Sequence, residues 1–188
     1  MNKSRYILLT FIPLLTILLI LPKIYSETQY VGVNKCKKCH ISKKKGAQYK
    51  VWSKMKHSKA YETLAKEESL KIAKEKGLKD ALQGDQCIKC HITGHGLPKI
   101  LFSKKFDITK GVQCESCHGA GEKHVVKREL SKKEKKKTGK ELPISKDEII
   151  RKPTKETCLK CHNDKSPHYK EFDFEKMFKK ISHLKPTK

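Results

Sequence analysis

The chain has 188 residues and a formal net charge of +24, from 44 lysine and arginine residues against 20 acidic ones. Only 36% of it is hydrophobic, and a single segment is apolar enough to consider as a membrane span, which excludes a multi-span membrane protein. A chain with so little apolar material needs something besides side chains to fill a compact core. The eight cysteines indicate what that is.

The first predicted element is a secretory signal at residues 1–26. Lys3 and Arg5 form its basic start, residues 6–21 are free of charge, and Ser26 offers a small residue at the cleavage point. An uncleaved anchor is the alternative, but 16 residues interrupted by Pro13 fall short of the ~20 that a span needs. With either reading, residues 27–188 form the exported domain, and the protein is periplasmic or extracellular.

Four C-x-x-C-H motifs follow in the chain, and they use every cysteine. This pattern is the attachment signature of c-type haem, in which both thiols form thioethers and the histidine binds the iron. We therefore predict four covalently bound haem c groups. The attaching residues are Cys36, Cys39, Cys87, Cys90, Cys114, Cys117, Cys158 and Cys161, and the proximal ligands are His40, His91, His118 and His162.

Two other readings of the cysteines explain less. Paired C-x-x-C motifs also bind zinc, but tetrahedral zinc does not require a histidine after every second cysteine. Disulfides suit an exported chain, but four closely spaced pairs would close only short local loops. The haem interpretation accounts for both the cysteines and the histidines.

Five histidines remain as candidates for the sixth iron ligand: His57, His95, His124, His168 and His183. After signal cleavage only Met55 and Met177 are left as methionines, so we expect histidine on both faces of the iron, which favours low potentials. Five candidates exceed four irons, so at least one histidine has another role.

The helices are predicted from periodicity and capping signals. Residues 59–76 form an amphipathic helix ended by Gly77, and residues 172–181 form another. Between the third and fourth motifs lies a lysine-rich insertion at about 127–152, in which 132–140 reads as a solvated loop and 145–151 as a short helix that starts with a capping box. No alternating strands are evident, so the fold class is mainly α: a loop-rich single domain wrapped around four haems.

Residues 31–186 resemble the cytochrome c-554 family, tetrahaem electron carriers that accept electrons from hydroxylamine oxidoreductase. The resemblance lies in the first motif with a Tyr/Trp stretch that ends at His57, in CHITG at 90–94, in GVQCESCHGAG at 111–121 with His124 behind it, and in FDF at 172–174 with ISH at 181–183.

The resemblance implies how the irons are ligated. The first haem would take His40 and His124, the third His118 and His57, and the fourth His162 and His183. The second haem would have His91 alone and an open second face, unless His168 fills it.

The leading function is an electron carrier between redox partner proteins, and the basic charge predicts acidic docking surfaces on those partners. A solvated, lysine-biased surface is the plainer reading of that charge. Two alternatives remain: reduction of a small nitrogen oxide such as nitric oxide at an open second haem, and a subunit of a conductive filament. No nucleic-acid motif is visible, and no side-chain array indicates hydrolysis.

Overall fold

The computed structural model describes residues 28–183 of the chain. Within that range nine α-helices are joined by turns and 3₁₀ segments, and the only β pairing is an isolated parallel bridge between Tyr30 and Phe102. The predicted mainly α class is confirmed. The helices are α1 (Val33–His40), α2 (Gln48–Ser53), α3 (Ala60–Thr63), α4 (Glu67–Glu75), α5 (Asp85–His91), α6 (Cys114–His118), α7 (Glu122–Thr138), α8 (Lys155–Leu159) and α9 (Phe174–Ile181).

The helix predicted at 59–76 is divided into α3 and α4. Lys66 adopts an extended backbone just before α4, and the resulting turn allows both Leu64 and Ala73 to be buried. The predicted C-terminal helix is confirmed as α9, whose Asp173 side chain accepts a hydrogen bond from the Lys176 N–H at 3.0 Å.

The lysine-rich insertion differs most from its prediction. Helix α7 continues to Thr138, so much of the loop expected at 132–140 is helical, in keeping with the good helix propensity of lysine. The helix predicted at 145–151 is wrong, because the structure has only a turn there. One of the two capping-box bonds does form, from the Ser145 N–H to Glu148 Oε1 at 3.0 Å. The Ser145 Oγ also donates to that oxygen at 3.0 Å, while the Glu148 N–H donates to the Ser145 carbonyl instead of to Oγ.

The apolar core is small and lies beside the second motif. Leu64, Ala73 and Ala81 are buried together, and partly buried side chains pack against them: Leu78, Leu82, Cys87 and Ile88. This cluster explains the position of α3, α4 and α5. It does not reach the other three motifs.

A buried polar network connects the first three motifs instead. Thr93 and Gln113 are 0% and 1% exposed. The Gln113 N–H donates to Thr93 Oγ1 at 2.7 Å, and that hydroxyl is also 2.7 Å from Ser116 Oγ. Gln113 Oε1 accepts from the Val33 N–H at 2.7 Å, so a single amide side chain ties α1 to the segment before α6.

Glu115, inside the third motif, is the second buried connector. Glu115 is 2% exposed. Its carboxylate accepts hydrogen bonds from three backbone N–H groups: Val31 at 2.8 Å, Gly32 at 2.7 Å and Gly121 at 2.7 Å. Burial raises the pKa of Glu115, although these three donors act in the opposite direction. The carboxylate thus holds the segment before the first motif and the segment after the third.

The predicted signal at residues 1–26 lies outside the described residues. Among the helices within 28–183, none combines the length and the apolar character that crossing a bilayer requires.

Candidate functional site

Short helices present the four motifs. The first and second motifs end α1 and α5, the third is the whole of α6, and the fourth begins in α8 and continues into the next turn. Residues three apart lie on the same side of a helix, so the two thiols of a motif point the same way. All eight thiols are half-buried and free of disulfides.

Sulfur atoms of different motifs lie beside one another. Cys36 interacts with the nearby Cys114 thiol, which together with burial raises the pKa of Cys36. Cys161 interacts in the same way with Cys90, and its pKa is raised to about 12 by burial first and by these neighbours second. Burial and the nearby Cys158 raise the pKa of Cys117 to about 11. The motifs are therefore neighbours in the order first, third, fourth, second.

Six of the predicted ligand histidines meet in three pairs. The ring centres are 6.2 Å apart for His40 and His124, 5.9 Å for His57 and His162, and 5.9 Å for His118 and His183. Two imidazoles that bind one metal ion from opposite sides, with bonds of about 2 Å, have their centres about 6 Å apart. Each pair thus has the spacing that one iron requires.

Two of these pairs differ from those that the family resemblance implied. His57 meets His162 rather than His118, and His183 meets His118 rather than His162. Contacts between distant segments accompany these pairings. The Val112 N–H donates to the His57 carbonyl and the Ile150 N–H to the His118 carbonyl, both at 3.0 Å. Lys152, two residues after Ile150, lies 5.8 Å from the Phe178 ring of α9, the helix that precedes His183.

Hydrogen bonds on Nδ1 orient five of the histidine rings. His91 is bonded to the Ala60 carbonyl at 2.7 Å, His118 to the Ile150 carbonyl at 2.6 Å and His183 to the Ile181 carbonyl at 2.8 Å. The Gln48 Oε1 and Glu148 Oε2 atoms do the same for His40 and His124 at 3.1 and 3.2 Å. An Nδ1–H held by an acceptor leaves the Nε2 lone pair available for a metal.

Burial also favours the metal-binding form of the imidazole. It lowers the pKa of His57, and the neighbouring His162 adds to that effect. Burial likewise lowers the pKa of His118 and of His124. A neutral imidazole is the form that binds metals, so these rings are prepared to act as ligands.

Glu148 is the functional neighbour that the sequence did not identify. Its carboxylate is buried, and besides His124 it accepts from Arg128 Nη2 at 3.0 Å and from Ser145. Burial tends to raise the pKa of Glu148, but the bonds from Ser145 and His124 prevail and lower it. The capping-box pattern was the available signal, and it pointed to a helix end rather than to a histidine.

The three remaining histidines have different surroundings. His95 Nε2 lies 3.1 Å from Asp85 Oδ1. The His168 side chain is 63% exposed and lies 3.7 Å from Glu68 Oε1. Within residues 28–183 His91 has no second histidine ring facing it. That part of the chain also contains no cluster of three or more His, Cys, Asp or Glu side chains that could hold a metal ion together.

The residues present fit haem c. Each motif supplies two thiols and a histidine from one helical turn, and three of those histidines face a second one at the spacing of a shared iron. Large apolar side chains near the motifs are exposed, among them Val126, Ile150 and Leu159. Such side chains match the flat apolar faces of a porphyrin.

Comparisons with known proteins agree with this arrangement. The family model "Cytochrome c554 and c-prime" matches residues 35–119. Cytochrome c-554 of Nitrosomonas europaea is 32% identical over 146 residues, which cover 73% of this chain and 59% of the relative. The chain thus spans less than two thirds of the length of that relative. No solved structure matches this chain. The chain belongs to the cytochrome c-554 family, and membership in this family of c-type cytochromes implies covalently bound haem c.

Proposed function

We propose that the chain is a tetrahaem c-type cytochrome that carries electrons between redox partner proteins in the periplasm or outside the cell. The observation that carries the proposal is the set of three histidine pairs, each of which joins a motif histidine to a distant one at 5.9–6.2 Å. Bound haem supplies reversible one-electron chemistry at iron, and the chain positions it, excludes water and adjusts its potential.

Each motif attaches its haem through its own two cysteines. The ligands we propose are His40 and His124 for the first haem, His118 and His183 for the third, and His162 and His57 for the fourth. His91 alone serves the second. Histidine on both faces of the iron favours low reduction potentials, so three of the four haems suit electron transfer at low potential.

The neighbouring sulfur atoms support a continuous path. Cys36 interacts with Cys114 and Cys161 interacts with Cys90, and Cys158 is near enough to Cys117 to act on it electrostatically. These interactions relate the first motif to the third, the third to the fourth and the fourth to the second. The first and second motifs are then the two ends of the series.

The test of this assignment combines haem counting with spin states. Intact mass and a pyridine haemochrome assay of the matured protein should give four haems. Electron paramagnetic resonance of the oxidised protein should show three low-spin centres, and His183→Ala should convert one of them to high spin. The matched control, His168→Ala, should leave all three unchanged. Fewer than four haems, or an unchanged spectrum for His183→Ala, would contradict the assignment.

A second candidate function rests on His91. Its Nδ1 is bonded to the Ala60 carbonyl, and no other histidine ring in residues 28–183 faces it, which favours an iron open to a small ligand such as nitric oxide. Nitric oxide and cyanide should therefore each bind one haem in the wild type and in His168→Ala. Binding only in the variant would make His168 the ligand and would remove the argument for a nitrogen-oxide reductase.

A further inference from the structure

Positive charge is unevenly distributed along the chain. Residues 28–61 contain ten lysines and no acidic residue, and residues 122–140 contain nine basic residues and three acidic ones. The rest of the described chain, 62–121 and 141–183, contains 20 basic and 16 acidic residues. Two segments that make up about a third of the described residues therefore hold most of the net charge.

The fold brings these two segments together around the first motif. Lys35 of α1 forms an ion pair with Glu129 of α7 at 3.1 Å, and His40 faces His124 across the same contact. One turn farther along α7, Lys132 Nζ lies 3.3 Å from Cys39 Sγ. Because Lys136 follows Lys132 by four residues, both lie on the side of α7 that faces α1.

The lysines at this contact are exposed and lack acidic partners. The basic face is defined as Lys38 of α1, Lys44 of the turn that follows α1, and Lys132, Lys133 and Lys136 of α7, all of them exposed. Within residues 28–183 none of the five forms an ion pair, whereas Lys35 and Lys135 in the same helices do. Their charge is therefore available to a partner.

We propose that this basic face is the docking surface for an acidic redox protein, which exchanges electrons with the cytochrome at the first haem. The proposal rests on the proposed electron-carrier function and adds the place of contact. Cys39, which would attach that haem, lies at the face beside Lys132, and the first motif is one end of the series of neighbouring sulfurs. Charge complementarity of this kind accelerates association by roughly 10- to 1,000-fold.

The composition of the face favours a protein over a lipid surface. Residues 131–140 of α7 and its C-terminal turn contain no apolar side chain, and neither do residues 42–45. Helices that lie in a membrane interface bury an apolar strip beside their basic one. This part of the face offers charge without such a strip.

The test compares two charge-reversed forms of the holoprotein. In the first, Lys38, Lys44, Lys133 and Lys136 are changed to Glu. In the matched control the same change is made at four exposed lysines in and next to α4: Lys66, Lys71, Lys74 and Lys76. Both lose the same total charge. One donor is a reduced acidic flavodoxin, followed by stopped-flow absorbance. The other is the short-lived neutral semiquinone of lumiflavin, generated by a laser flash in the presence of the cytochrome, and both reactions are measured at low and high salt.

At low salt the face variant should accept electrons from flavodoxin at least tenfold more slowly than the wild type, and the control should change less than threefold. The difference should disappear at high salt, because salt screens exposed charges. Lumiflavin should reduce all three proteins alike. Equal slowing of both variants by flavodoxin, with normal reduction by lumiflavin, overturns the docking proposal only. Failure of lumiflavin to reduce the wild type overturns the electron-carrier function itself.

A third measurement separates the membrane alternative. Vesicles of phosphatidylglycerol are mixed with the three proteins and sedimented. If the face variant loses vesicle binding but keeps the wild-type rate with flavodoxin, the face is a lipid-binding surface and the proposal is wrong. If the face variant accepts electrons from flavodoxin more slowly and the control variant does not, the docking proposal is supported.

Discussion

Replacing Glu115 by alanine removes the acceptor of three buried backbone N–H groups. These groups belong to Val31, Gly32 and Gly121, and each donates to the carboxylate at 2.7–2.8 Å. Because the site is almost fully buried, water cannot replace the lost acceptor freely. The substitution should therefore loosen both the segment before α1 and the start of α7.

An unsatisfied buried donor costs about 1–3 kcal/mol. Three unsatisfied donors would together lower the free energy of unfolding by about 3–9 kcal/mol. Because some water can enter the site, we expect Glu115→Ala to lower it by about 3–5 kcal/mol. In Glu115→Gln the amide oxygen can replace Oε1, which accepts from Val31 and Gly121, while the amide nitrogen would face the Gly32 N–H. One lost bond should cost about 1–3 kcal/mol.

The assay is guanidinium unfolding of the holoprotein followed by far-UV circular dichroism, with the free energy of unfolding taken by linear extrapolation. The exposed Glu62, paired with Lys59 at 3.6 Å, provides the control, and Glu62→Gln should change stability by less than about 0.5 kcal/mol. The expected order of loss is Glu115→Ala, then Glu115→Gln, then Glu62→Gln. If Glu115→Ala unfolds as readily as the control, the carboxylate does not connect these segments and the reasoning is wrong.

Three further outcomes are expected. A methyl group added at Gly111 would lie 2.7 Å from the His57 carbonyl, so Gly111→Ala should weaken or abolish one low-spin resonance signal, whereas Gly96→Ala, with a similar positive φ and open space around it, should keep all three. Glu148→Gln should raise the reduction potential of one haem in a spectroelectrochemical titration, because a neutral amide supports the His124 Nδ1–H less than a carboxylate does. Each tenfold change in the redox equilibrium corresponds to a shift of about 59 mV. An unchanged potential would contradict this role of Glu148. The pKa of Glu148 is lowered in the folded protein, so its stabilisation is present above the ordinary value of 4.5 and is lost as the pH falls through the lowered one; unfolding measured against pH should therefore show the wild type approaching Glu148→Gln below about 4.5, and a constant difference would refute it.

The sequence was most informative where chemistry requires neighbouring residues. Each C-x-x-C-H motif fits one turn of helix, so its two thiols and its histidine could be read without knowledge of the fold. The helix predicted at 172–181 likewise corresponds to α9, which begins at Phe174 after the capping residue Asp173. Family resemblance to cytochrome c-554 was also visible in local motifs, and the comparisons confirm it.

The partners of the distant histidines were harder to read. Whether His57 meets His118 or His162 depends on contacts between distant segments, such as Lys152 with the Phe178 ring of α9 and the Val112 N–H with the His57 carbonyl. These contacts join residues that are far apart in sequence, and no local pattern records them. These histidines could therefore be named as candidates, while two of the three pairings that the resemblance implied differ from those in the structure.

The length of α7 was missed for a related reason. A run of lysines in isolation repels itself and favours a solvated loop, but the pair between Lys135 and Glu141 and the bond from the Leu142 N–H to Ser131 Oγ at 2.9 Å hold the helix to Thr138. The Ser145 box shows the opposite case. Only its bond from the Ser145 N–H to Glu148 formed. Glu148 also binds His124 and Arg128, and the chain turns there without a helix.

The buried network of Thr93, Gln113 and Ser116 has a consequence for how this sequence can evolve. Thr93 Oγ1 contacts Ser116 Oγ and accepts from the Gln113 backbone N–H, and the Gln113 side chain in turn accepts from the Val33 N–H. Residues in one network have non-additive effects on stability, so a change at Thr93 alters the cost of a change at Gln113, although the two lie in different motif segments. The three motif segments that they join are therefore not free to drift independently, and neutral variation at these positions should proceed by linked replacements rather than by single ones.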